Sequence, residues 1–73
     1  MTKLPVVSGR QLVEALEQVG FAFDRQRGSH IMLFRSDPPT TLSIPDHREL
    51  DRGTLRAILR QAGISPSRLI ELL

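Results

Sequence analysis

The stretch that decides the fold runs from Gly20 to Pro45, GFAFDRQRGSHIMLFRSDPPTTLSIP. Apolar and polar residues alternate along three runs within it, and a period of two is typical of half-buried β-strands. Arg27-Gly28-Ser29 and Ser36-Asp37-Pro38-Pro39 separate the runs and favour turns, and a proline has no N–H for a strand ladder. The sequence therefore predicts three strands joined by hairpins, with His30 to Arg35 as the second and Thr40 to Pro45 as the third.

Amphipathic helices are predicted on both sides of this stretch. Ser8 and Gln11 fit a capping box at the start of the first helix. The second helix is predicted to begin after Asp51, a suitable N-cap, and to end at Gly63. A short apolar terminal helix follows the pair Ser65-Pro66, which fits a cap and a first helical residue.

The order of helix, three meandering strands and helix predicts a small α+β domain, α-β-β-β-α with a short extra C-terminal helix. Short hairpins imply antiparallel neighbours, so we expect a three-stranded antiparallel sheet with the helices on one face. Seventy-three residues are enough for one domain, predicted to span 1–73. Double-stranded-RNA-binding domains share this order, although a fold by itself does not supply a function.

The composition narrows the class of protein. With no cysteine, the chain offers neither disulfides nor a thiolate zinc site. No apolar run is long enough to span a membrane, and no signal peptide is recognised, so a cytoplasmic location is expected. Nine of the ten cations are arginine, whose planar guanidinium suits bidentate phosphate contacts and favours an anionic partner such as nucleic acid. A GC-rich genome is the alternative explanation of the arginine bias.

His30 is the residue best placed for chemistry. Gly28 leaves the backbone free to approach a ligand closely, and Ser29 adds a hydroxyl donor. The same hairpin carries three cations, Arg25, Arg27 and Arg35. A base beside phosphate-binding groups is what ribonuclease chemistry requires. An ordinary glycine turn with solvated charges explains this local pattern at least as well.

Two further groups are candidates for RNA binding. His47 lies between the third strand and the second helix, where its side chain would either contact a substrate or, as we favour, hold the loop by a hydrogen bond. Arg52, Arg56 and Arg60 recur at every fourth position, which places them on one ridge of the second helix. Such a ridge suits a phosphate backbone and equally suits an ordinary solvated helix face.

Other chemistries are disfavoured by what the sequence does not contain. It has no phosphate-binding or dinucleotide-binding glycine motif, no HExxH motif and no carboxylate cluster, so we expect neither a cofactor nor a metal site. The aromatic residues Phe21, Phe23 and Phe34 are predicted to lie largely in the core, which leaves no platform for base stacking.

Two segments resemble the HicA toxins of bacterial toxin-antitoxin systems. The first is Gly20-Phe21 leading to RQRGSH at 25–30, which is similar to the family's GF and GSH element. The second is IPDH at 44–47, followed by Leu50 and by GTLRAILRQAGIS at 53–65, which is similar to the family's VPxH and GTLxxILKQAGIS run. The chain departs from the pattern in its proline-rich turn at 36–39 and in Arg60, where lysine is common.

The resemblance implies a fold related to double-stranded-RNA-binding domains, ribosome-independent cleavage of messenger RNA, and a HicB antitoxin that neutralises the toxin. It also implies that the histidine of the GSH element, here His30, is catalytic. We expect this imidazole to take a proton from a ribose 2′-hydroxyl without a metal ion or cofactor. Two alternatives stay open: an RNA-binding module that does not cleave, and a protein-interaction domain whose arginines serve solubility or docking.

Overall fold

The structure, a computed structural model, describes residues 3–73. The helices and strands follow the predicted order: α1 (Gly9–Glu17), β1 (Ala22–Arg27), β2 (His30–Ser36), β3 (Pro39–Pro45), α2 (Arg52–Ala62) and α3 (Pro66–Leu72). The three strands form one antiparallel sheet in the order β1-β2-β3, with β2 in the centre. The predicted α+β fold is therefore confirmed.

One face of the sheet is covered by the helices and the other is open. Ile31 and Leu33 of β2 are buried, as are Leu42 and Ile44 of β3. They form the core together with apolar residues of α1, α2 and α3, among them Leu12, Leu16, Leu55, Leu59 and Leu69. Because side chains alternate between the two faces of a strand, the even-numbered residues of β2 lie on the open face.

The predicted helix ends are confirmed. The Ser8 hydroxyl accepts a hydrogen bond from the Gln11 N–H at 3.0 Å, and the Gln11 side chain accepts one from the Ser8 N–H at 2.8 Å. Asp51 accepts from the Thr54 N–H at 3.3 Å, and its hydrogen bonds with Thr54 lower the pKa of the Asp51 carboxyl. Gly63 ends α2 with a left-handed backbone, φ 75°.

The ends of the hairpins differ slightly from the prediction. Ser36 pairs with Pro39, so β2 and β3 each extend one residue into the segment that was expected to be wholly a turn. Proline is tolerated here because Pro39 is the first residue of an edge strand. The first hairpin turns at Gly28, whose φ of 59° is the positive value that a type II′ turn needs at its first central residue.

A β-bulge interrupts β1 at Asp24. Phe23 pairs with Leu33 and Arg25 pairs with Met32, so Asp24 is an extra residue without a partner on β2. Because of this extra residue, Phe23 lies on the helix-covered face with Leu33, whereas Arg25 lies on the open face with Met32.

The prediction that all three phenylalanines lie in the core was wrong for two of them. Phe21 is buried, but Phe23 is 57% exposed and Phe34 is 42% exposed. Phe34 lies on the open face, which no helix covers, and Phe23 belongs to the edge strand β1, whose residues are all exposed. Among residues 3–73, no helix is long and apolar enough to cross a membrane.

Candidate active site

His30 begins β2 and lies opposite Pro45 of β3. Its side chain is exposed on the open face, and its Nδ1 lies 3.0 Å from the Ser43 hydroxyl oxygen of β3. Within residues 3–73, its Nε2 has no hydrogen-bond partner. One ring nitrogen is therefore tethered to the neighbouring strand, and the other faces solvent.

A shallow concavity surrounds this imidazole on the open face, lined by Arg27, His30, Met32 and Ser43. Arg27 pairs directly with His30 across the first hairpin, and Arg25 pairs with Met32. Arg25 forms an exposed ion pair with Asp24 at 2.6 Å, whereas Arg27 has no ion pair among residues 3–73. An exposed pair of this kind costs little to exchange for a phosphate contact.

The turn next to His30 is built as the sequence predicts. Gly28 has the positive φ described above, and a Cβ on it would meet no other atom within 4 Å. Its backbone conformation, rather than a crowded neighbourhood, therefore explains the glycine. The carbonyl oxygen of Ser29 accepts a hydrogen bond from the Asp46 N–H at 2.7 Å, which continues the pairing beyond the end of β3.

The loop that carries His47 is held by main-chain contacts with the start of α1. The Gly9 N–H donates to the His47 carbonyl at 2.9 Å, and the Leu50 N–H donates to the Val7 carbonyl at 2.9 Å. A Cβ on Gly9 would overlap the carbonyl oxygen of Pro45, so the helix approaches the strand end as closely as a glycine allows. The His47 imidazole is exposed, and the main chain makes the hydrogen bond that we expected from its side chain.

Arg10 adds a further charged group at this end of the sheet. Its Nε and Nη2 atoms donate to the two carboxylate oxygens of Asp46, at 3.2 and 3.1 Å. Asp46, which follows Pro45, therefore pairs with α1 and does not contact an imidazole. Arg10 is not among the predicted site residues, because nothing in the local pattern of α1 shows that its first turn reaches the end of β3.

Arg35 lies on the helix-covered face and has a packing role. Its Nη1 donates to the Ala62 carbonyl at the end of α2 at 3.2 Å, and its Nη2 donates to the Thr40 hydroxyl at 3.3 Å. Its guanidinium carbon lies 4.5 Å from the centre of the Phe21 ring. Arg35 was predicted to bind RNA beside His30 because both residues belong to the same hairpin. Its side chain instead lies on the opposite side of the sheet from His30.

Arg52, Arg56 and Arg60 are exposed along α2, as the helical spacing predicts. Among residues 3–73 none of the three forms an ion pair. The opposite side of α2, with Leu55, Ile58 and Leu59, packs on the covered face of the sheet. This ridge of α2 therefore belongs to the helix layer, whereas His30 belongs to the open face.

Of the predicted site residues, the structure thus groups Arg25, Arg27, Gly28 and Ser29 with His30. Ser43 belongs to the same group, although it is not among the predicted site residues. Its alternation with Leu42 and Ile44 indicates the open face, but only the register between β2 and β3 shows that Ser43 reaches His30. Within the described residues, no three His, Cys, Asp or Glu side chains are arranged to hold a metal ion.

The fold and the site define a small α+β domain with a histidine on an exposed, arginine-rich sheet face. A family model described as HicA toxin of bacterial toxin-antitoxin matches residues 9–64, from the start of α1 to the residue after Gly63. The chain therefore belongs to the HicA toxin family, and this membership implies a HicB-type antitoxin as its partner. A comparison with curated proteins gave no match.

Proposed function

We propose that this HicA-family toxin is an endoribonuclease that cleaves messenger RNA in the cytoplasm, with His30 as its catalytic residue and without a metal ion. The observation that carries the proposal is the imidazole itself, which is bound at Nδ1 by Ser43 and open to solvent at Nε2 beside Arg27. A positioned base next to a phosphate-binding cation suits attack by a ribose hydroxyl.

The proposed reaction needs only groups that this face supplies. When the Nδ1–H of His30 donates to the Ser43 oxygen, Nε2 has a free lone pair and accepts the proton of a ribose 2′-hydroxyl. The 2′-oxygen then forms a bond to the adjacent phosphorus, and the bond between phosphorus and the 5′-oxygen breaks. The leaving oxygen takes a proton from water, and the imidazolium returns its proton to solvent.

Charge around His30 supports the same assignment. Negative charge grows on the phosphate oxygens during attack, and a preorganised donor at that point stabilises the transition state. Arg27 is the first candidate for this donor. It lies directly opposite His30 in the antiparallel pairing of β1 with β2, and it forms no ion pair among residues 3–73. The next donors are Arg25, on this side of the sheet, and the hydroxyl of Ser29, which precedes His30 in the chain.

The test is cleavage of a labelled messenger RNA by the purified chain and by His30→Ala. The variant is expected to lose activity by on the order of 10² to 10⁴, the usual contribution of a general base. Chelator should have little effect, and a substrate with 2′-deoxyribose immediately 5′ of the cut should resist cleavage there.

His47→Ala is the matched control, because it removes the other histidine of the chain, also exposed. Both variants must melt at the wild-type temperature, since an unfolded protein would be inactive for another reason. A folded His30→Ala protein that cuts RNA at the wild-type rate would show that His30 is not the base.

The exposed ridge of Arg52, Arg56 and Arg60 supports a second candidate, an RNA-binding module that does not cleave. This candidate predicts RNA binding through the helix layer and equal, negligible cleavage by the wild type and His30→Ala. For the toxin, we further propose that the HicB-type antitoxin covers His30 and the arginines around it, because an uncovered ribonuclease would harm the cell that makes it.

A further inference from the structure

An exposed aromatic ring lies on the same sheet face as His30. Phe34 is 42% exposed and stands four residues further along β2, about 13 Å away at the usual rise of a strand. Met32, half-buried, lies between them on the same face. Phe34 is not part of the hydrophobic core, so packing does not account for an aromatic residue here.

The neighbours of Phe34 leave its ring accessible. Its partners across the strands are Ala22 of β1 and Thr41 of β3, two small residues that cannot cover a phenyl ring. Both are exposed themselves, and the helices pack on the other face. The ring is therefore available to a flat apolar ligand that approaches from the open side of the sheet.

Two arginines of β1 flank the part of β2 that runs from Met32 to His30. Arg25 lies opposite Met32 and Arg27 lies opposite His30, so both residues are on the open face of β1 next to the central strand. An aromatic ring in line with phosphate-binding cations is the combination that single-stranded nucleic acids require, because it holds a base and the backbone at once.

We propose that Phe34, with Met32 beside it, is a stacking subsite for an unpaired nucleobase of an RNA whose backbone passes Arg25 and Arg27 and reaches His30. The inference rests on the proposed ribonuclease function and defines its substrate further. A base inside a duplex has both faces covered by its neighbours, so the subsite selects single-stranded RNA over double-stranded RNA.

A second exposed phenylalanine provides a matched comparison. Phe23 is more exposed than Phe34, at 57%, but it lies on the other face of the sheet. It lines a groove with Arg10, Val13, Glu14 and Glu17 of α1. Arg10 is already paired with Asp46, and the two glutamate carboxylates repel a phosphate backbone. The two rings therefore differ in the charge around them more than in their accessibility.

The experiment measures binding apart from cleavage. A fluorescently labelled single-stranded RNA oligonucleotide is titrated with the His30→Ala protein, and the Kd is read from fluorescence anisotropy. Adding Phe34→Ala is expected to raise this Kd about tenfold, whereas Phe34→Tyr retains a ring and should bind as tightly as His30→Ala alone. Phe23→Ala should leave the Kd unchanged, and a duplex of the same sequence should compete poorly.

Equal Kd values for Phe34→Ala and its His30→Ala parent would overturn the inference, as would an equal loss in Phe34→Tyr or no RNA binding by the parent. Unchanged RNA affinity together with weaker antitoxin binding would assign Phe34 to a protein interface instead. Since anisotropy does not depend on cleavage, a Phe34 effect in a chain whose wild type cuts no RNA would leave the subsite standing and remove only the proposed catalysis.

Discussion

The two ring nitrogens of His30 differ because of one hydroxyl group. The Ser43 oxygen lies 3.0 Å from Nδ1, while Nε2 has no partner among residues 3–73. A serine oxygen can accept the Nδ1–H both in the neutral ring and in the imidazolium. With the Nδ1–H donating to Ser43, Nε2 is the nitrogen that exchanges protons with a substrate throughout the proposed reaction.

Ser43→Ala is expected to lower kcat about fivefold with little change in KM, since one hydrogen bond is lost and water replaces part of it. The tautomer of His30, measured by nitrogen-15 NMR, should shift toward a mixture, and Ser43→Thr should restore both values. If neither the tautomer of His30 nor kcat changes in Ser43→Ala, this hydroxyl does not position the imidazole.

Single residues differ in how far the sequence alone predicts their role. Gly28 and Ser29 stand beside His30 in the chain, so their proximity follows from the sequence. Ser43 and Arg10 come near the site only through the register of β3 and the close approach of α1 to Pro45, and no local pattern encodes either contact. Phe34 was misassigned because an apolar residue in a strand was assumed to face the core, although its alternation with Leu33 already places it on the other face.

At the scale of elements, Arg35 links the central strand to the end of α2. Its guanidinium donates to the Ala62 carbonyl and stacks on Phe21. A cation at this point also complements the negative end of the helix dipole. Its Nε atom is buried without a hydrogen-bond partner among residues 3–73, so part of this gain is offset by desolvation.

Arg35→Met keeps an unbranched apolar stem and removes the guanidinium with its hydrogen bonds and its contact with Phe21, so it should destabilise the fold by about 1–2 kcal/mol. In a domain of this size, that corresponds to a fall in Tm of roughly 4–15 °C, measurable by circular dichroism. Arg68→Met is the control, because Arg68 forms an exposed pair with Glu71 in α3 and should have little effect. Equal Tm values for the two variants would contradict a structural role for Arg35.

Helix ends were better predicted than strand ends. The residues at the helix ends act through hydrogen bonds or backbone angles within a few residues of the chain, so the local sequence determines where each helix begins or ends. These residues are Ser8, Asp51, Gly63 and Ser65. The bulge at Asp24 and the pairing of Ser36 with Pro39 depend on how two strands meet. Such pairings join residues that are distant in the chain, so the sequence of one strand alone does not predict them.

At the scale of the whole molecule, arginines lie on two layers. Arg25 and Arg27 are on the open sheet face with His30, and Arg52, Arg56 and Arg60 are on the helix layer. The sequence predicted both groups and the two-layer fold that separates them. It did not predict that the two groups lie on different layers. Nearness to His30 in the chain marks the first group, and regular helical spacing marks the second, but neither pattern shows which side of the domain a group occupies.

The salt dependence of RNA binding should separate the two groups. The double variant Arg25→Gln/Arg27→Gln should bind single-stranded RNA more weakly. The slope of log K against the logarithm of the salt concentration should become less steep by about 1.4, which is about 0.7 for each lost phosphate contact. Replacing Arg52, Arg56 and Arg60 by glutamine should change the slope much less. The opposite result, measured by titrations at several salt concentrations, would move the RNA to the helix layer and favour the module that does not cleave.

A one-residue gap in an alignment has a different consequence at the bulge of β1 than at a regularly paired position of a strand, where it would move the following side chains to the other face. With Asp24 present, Phe23 and Gln26 face the helices while Arg25 and Arg27 face away from them. In a relative that lacks this residue, the strand would alternate without interruption, and the residues aligned with Phe23 and Arg25, then adjacent in the chain, would keep the same opposite faces of the sheet. Two family members that differ by this one residue between the Gly20-Phe21 pair and the Gly28-Ser29-His30 turn would therefore differ in the local bend of β1, while their arginines face the same side of the sheet.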